Sequence, residues 1–121
     1  MNRRIATTTV ALVLVIVAPV AAEVMDKEPT VAEMWLWAIG SGALAFLVWR
    51  WRWWLGAVFS FVAVSAMFSQ YQEINDPFVG PAIIAEAGTG YVTQFYLSTA
   101  IGCLLHATAA YNARKERRAH P

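Results

Sequence analysis

The sequence predicts an all-α integral membrane helical bundle of three spanning helices, preceded by an N-terminal signal peptide or signal anchor. Three observations carry that prediction. With 59% hydrophobic and 14% charged residues, and a mean hydropathy of +0.49, the 121-residue chain has too little charge to cover a soluble domain. Its apolar residues fall in runs of membrane-spanning length, separated by short polar stretches. Arg3, Arg4, Arg50, Arg52, Arg114, Lys115, Arg117 and Arg118 would all lie on one side of the membrane, leaving Lys27 on the other. The rule that cytoplasmic segments hold the Lys and Arg excess makes that side the cytoplasm. The expected location is the plasma (inner) membrane, multi-pass, with the C-terminus cytoplasmic.

Residues 1–22 have a positive head, an apolar segment from Ile5 to Val20 and small residues at Val20 and Ala22. This is a secretory signal pattern with cleavage expected between Ala22 and Glu23, a retained anchor being the alternative. Arg3-Arg4 alone is weak support for the twin-arginine route. Residues 23–121 then form a single membrane domain. Spans are expected at about 31–49, 53–70 and 91–111, external loops at 23–30 and 71–90, and a basic tail at 112–121.

Thr30 with Glu33 reads as a capping box that opens the first span. Trp49-Arg50-Trp51-Arg52-Trp53-Trp54 ends it. A single helix from Glu33 to Gln70 would be roughly 57 Å long against a bilayer core of about 30 Å. It would also bury two guanidinium groups that cannot lose their charge. The hexapeptide is therefore expected to be a turn at the membrane surface, with Arg pairing to anionic headgroups and Trp rings at headgroup level.

Ala38, Gly42 and Ala45 in the first span, and Gly56, Ser60 and Ala63 in the second, recur at helical spacing as stripes of small residues. Such stripes let membrane helices approach closely, so the hairpin is expected to close along them. Asn75-Asp76-Pro77 should stop the second span, and Gly80-Pro81 should start a short external helix over about Pro81 to Ala87. In the last span, Gln94, Ser98, Gly102 and His106 form a polar and small strip at four-residue spacing.

The chemistry-bearing groups are few. Glu73, Asp76 and Glu86 share the outer loop but match no metal-binding spacing, so capping and solvated charge are the ordinary reading. His106 is the ionisable group well inside a predicted span, where such groups are functional candidates by default, though hydrogen bonding between helices is the plainer role. Cys103 is the single cysteine, which excludes an intrachain disulfide and a Cys-x-x-Cys site. The net charge of +1 and the scattered bases make nucleic acid an improbable partner. No phosphate loop, dinucleotide fingerprint or nucleophile triad is present, and no cofactor or metal is expected.

The expected function is that of a non-enzymatic accessory or structural subunit. It would act through helix packing and its outer loop, on a membrane-protein partner or a second copy of itself. The alternative is a small oligomeric transporter or channel with a polar path along the last helix, past Gln94, Ser98, Thr99 and His106. Asp76 and Glu86 complete the set of candidate functional polar residues.

Overall fold

A computed structural model describes residues 28–120. The expected signal segment, residues 1–22, and the linker as far as residue 27 lie outside the described residues. Within them the protein is all-helical: α1 (Val31–Trp51), α2 (Trp53–Ile74), α3 (Val79–Ala87) and α4 (Thr89–Ala119), with no strand. Two of these helices, α1 and α2, are long and apolar enough to cross a membrane.

Local chemistry sets the helix ends. The Thr30 hydroxyl accepts from the Glu33 N–H at 3.2 Å while the Glu33 carboxylate accepts from the Thr30 N–H at 2.7 Å, which closes the capping box at the start of α1. Arg52, in extended conformation at φ −143° and ψ 116°, is the one residue between α1 and α2. Its N–H closes the last turn of α1 on Val48 O and its carbonyl accepts the first N–H of α2 from Gly56, both at 2.9 Å. Gly88, at φ +85°, ends α3 and begins α4. A side chain is rarely tolerated in that left-handed region.

Helix limits differ from expectation in three places. α2 continues through Tyr71-Gln72-Glu73 to Ile74, because nothing breaks it before Asn75-Asp76-Pro77. α3 begins at Val79, placing Pro81 inside its first turn rather than at its start. The largest difference is in α4, which runs unbroken for 31 residues and turns the expected soluble tail into helix. Ala, Arg, Lys and Glu are good helix formers, and Arg117 and Arg118 complement the negative helix end.

The packing order also corrects the expected hairpin closure. Contacts between α1 and α4 advance in step, Trp35 with Gln94 and then Ser41 with His106, so these two helices run parallel. Gln70 near the end of α2 reaches Glu28 ahead of α1, so α2 returns antiparallel to α1. It is α4 rather than α2 that covers α1 most extensively. A Cβ on Gly42 would sit 2.6 Å from Leu105 Cβ of α4, and one on Gly102 would sit 3.3 Å from Ala38 Cβ of α1. The small stripe of α1 therefore meets the strip of Ser98, Gly102, His106, Ala109 and Ala113, all buried. Small residues on both surfaces permit this approach, which Leu or Phe there would prevent.

The bundle is apolar outside and small or polar within. Buried positions include Ser41, Ser98, His106, Ala38 and Ala45, whereas Leu36, Trp51 and Phe61 are each 74% exposed. A conventional apolar cluster exists at the α3 end, where fully buried Ile83 of α3 packs with Met34, Ile74, Tyr91 and Phe95. Gly80 allows that docking, because a Cβ there would collide with the Ile74 carbonyl.

Candidate functional site

Four sets of side chains lie at successive depths of the bundle. At the α3 end, the Asp76 carboxylate accepts from the N–H groups of Phe78 at 2.8 Å and Val79 at 2.9 Å, capping the chain as it enters α3. Those N–H groups, Val79 first and then Phe78, hold its carboxyl below the usual carboxylate range. Glu86 is exposed on α3, and among the described residues no three His, Cys, Asp or Glu gather as metal ligands would. Gln70 donates to Glu28 at 2.9 Å. Burial lifts the Glu28 carboxyl above its ordinary value; the Gln70 bond opposes this, and neighbouring Glu73 adds to it.

Below this end an open cleft of about 360 Å³ separates α1 from α2, with Met34, Trp37, Met67 and Gln70 on its walls and Phe95 and Thr99 of α4 behind. Gln94 is half-buried beside it, and its side-chain oxygen accepts from Trp35 Nε1 at 2.9 Å. Ser98 is buried and donates to the Phe95 carbonyl at 3.0 Å. Each is engaged in holding helix structure, and sequence spacing revealed neither Trp35 nor the cleft.

In the half of the bundle nearer the turn, His106 is 3% exposed and both ring nitrogens have partners. Nε2 lies 3.1 Å from the Ser41 hydroxyl of α1, and Nδ1 lies 2.9 Å from the Ser60 hydroxyl of α2. Ser60 also accepts from Trp49 Nε1 at 3.0 Å. One imidazole thus joins all three long helices, and a neutral ring offers the donor and the acceptor that two hydroxyls require. The ring of Phe59 is tilted beside it at 5.9 Å between centroids.

The last set is the turn. Trp51, Trp53 and Trp54 are exposed, as are Arg50 and Arg52. Trp49 departs from its expected place at the headgroups: its indole is half-buried and points at Ser60. Gly56 makes room, since a Cβ there would lie 2.5 Å from the ring. The end of α4 comes alongside. Arg50 Nε lies 3.8 Å from the Glu116 carboxylate, and the Arg117 guanidinium sits 5.6 Å from the centre of the Trp53 ring. The sequence places these residues apart because the last span is expected to end at Tyr111 with a basic tail beyond it, although the tail is composed of helix formers.

Among the predicted packing residues, Ala38, Gly42, Ala45, Gly56, Ala63 and Gly102 are buried and Ser60 is half-buried. No known protein family matches this sequence, and neither curated proteins nor solved structures include a match to it.

Proposed function

We propose that this chain is a small multi-pass protein of the plasma (inner) membrane that acts by association, as a non-enzymatic accessory or structural subunit. In this reading α4 crosses beside α1 and α2, the turn at Arg52 faces the cytoplasm together with the C-terminus, and α3 lies outside. The apolar exterior supports the membrane setting, since large exposed apolar surfaces on a protein mark a contact with lipid or another protein. Parallel α1 and α4 with antiparallel α2 agree with three crossings, and the basic residues of the turn and tail then share one side.

One observation favours association over conduction. Every buried side-chain nitrogen and oxygen among the described residues has a hydrogen-bond partner. A transport path needs polar groups free to exchange partners with a solute, whereas Gln94, Ser98 and His106 are each committed to another residue of the chain. Meanwhile α2 buries only Gly56, Ala63 and Ile74, which leaves most of its surface for lipid or a neighbouring helix.

The test is purification of the full chain from its native membrane in mild detergent, with its neighbours identified by mass spectrometry. A stoichiometric membrane-protein partner, or a defined homo-oligomer, is the expected result. Solute flux through the reconstituted protein that disappears on replacing His106 or Gln94 would overturn the reading in favour of a transporter.

A further inference from the structure

The turn and the end of α4 border an open cavity of about 370 Å³ lined by Arg50, Arg52, Arg117, His120, Glu116 and tryptophans including Trp53. The segments that meet there are distant in sequence, and neither makes the cavity alone. Its arginines are not consumed by acids. Among the described residues the single ion pair is Arg50 with Glu116, a loose contact at 3.8 Å between side chains that are 69% and 56% exposed. Arg52 has no carboxylate partner among the described residues. Arg117 is held in place without one, its Nε donating to the Ala113 carbonyl at 3.2 Å and its guanidinium lying against Trp53. That leaves its terminal nitrogens to point a planar pair of donors at a ligand, the geometry that matches phosphate oxygens.

We propose that this cavity is a discrete binding site for a phosphate group carried on an apolar or aromatic body, held by Arg52 and Arg117 with His120 at its rim and flanked by the tryptophans. The chemistry fits an anionic phospholipid headgroup and a soluble phosphate compound alike. Glu116 weakens the site by occupying Arg50, so it is a negative determinant of affinity. The other basic residues of the tail, Arg114, Lys115 and Arg118, line a different surface with Tyr111 and provide an internal comparison of equal charge. The proposal goes beyond the association reading and does not depend on it.

The full chain is placed in phosphatidylcholine nanodiscs holding a minor fraction of phosphatidylglycerol, and the anionic lipid that stays bound on release into detergent is counted by native mass spectrometry. Arg52→Gln with Arg117→Gln should cut retention about tenfold, since both guanidinium contacts to the phosphate oxygens are lost together. Arg114→Gln with Lys115→Gln removes the same charge and should leave retention little changed. Glu116→Gln should raise it, a gain that misfolding cannot imitate. Equal losses from both double variants, or unchanged retention in the first, would overturn a discrete site in favour of diffuse attraction. Inorganic phosphate then separates the sources, with the unchanged protein as reference. Displacement of the lipid by phosphate assigns the cavity to soluble phosphate compounds, and lipid retention indifferent to phosphate assigns it to the headgroup.

Discussion

His106 Nδ1 lies 2.9 Å from the Ser60 hydroxyl, which fastens α4 to α2 at the residue through which α2 also holds Trp49 of α1. Loss of one member should therefore be felt by the others. Hydrogen bonds between membrane helices average about 0.6 kcal/mol and reach about 1.7 kcal/mol. A double-mutant cycle of His106→Ala and Ser60→Ala, read by reversible unfolding in detergent, should give a coupling energy in that range. Additive losses would mean that the two groups do not interact in the folded protein.

The three close-packed glycines of the long helices should differ in cost, because different atoms stand where a Cβ would go. At Gly56 the Trp49 Cα, a backbone atom, is 2.8 Å away; at Gly42 the Leu105 Cβ is 2.6 Å away; at Gly102 the nearest atom is the terminal methyl of Met67 at 2.7 Å. A flexible thioether end can move and a backbone cannot. Alanine should destabilise most at Gly56, by about 1–3 kcal/mol as overpacking does, less at Gly42 and least at Gly102. Gly40, with nothing within 4 Å of its Cβ direction, should gain stability on the same change. Thermal unfolding in detergent ranks the four, and leucine at Gly56 should also reduce partner retention.

Asp76 predicts a dependence on acid. Its carboxyl is held below the ordinary value by the Val79 and Phe78 N–H groups, so the folded state favours the charged form. The cap is then fully present above the unfolded value, about 3.9, and is lost as pH falls through the lowered folded value. Hydrogen exchange across Val79–Ala87, corrected for intrinsic rates, should stay protected at neutral pH and open only in strong acid. Asp76→Ala should remove that protection at every pH.

Orientation is testable by fusion. A reporter active only outside the cytoplasm should work after Gly80 and fail after Ala119. Replacing both Arg50 and Arg52 with leucine would let the chain from Val31 to Ile74 run on as one apolar helix of roughly 66 Å, more than twice the bilayer core. Insertion and reporter pattern should be disturbed, while lysine at both positions should keep the orientation and anchor less firmly. An unchanged pattern in the double leucine variant would mean that the tryptophans and helix packing determine the reversal.

What could be read from sequence was what neighbours in the chain decide. The capping box of Thr30 and Glu33, the reversal beside Arg50 and Arg52 and the stop at Asn75-Asp76-Pro77 all depend on residues a few positions apart. Helix pairing was not legible, because small stripes on all three long helices are equivalent until a surface is chosen; Leu105 over Gly42 is a fact of three dimensions. Trp49 misled for a related reason. An indole at a span's end usually sits among headgroups, and its inward partner Ser60 lies on the far side of a turn. The continuation of α4 was not foreseen because the apolar run ends at Tyr111, although Ala-Arg-Lys-Glu-Arg-Arg contains no breaker.

The unbroken length of α4 makes it a mechanical member as well as a wall. Tyr91 and Phe95 at one end are clamped in the cluster under Ile83, and Arg117 at the other rests on Trp53, about 39 Å further along the rod. No glycine or proline after Gly102 offers a joint before the final residue. The rod is therefore braced at both ends, by the Ile83 cluster beside α3 and by Trp53 at the turn. α3 and the basic turn are thus attached to the two ends of one continuous strut.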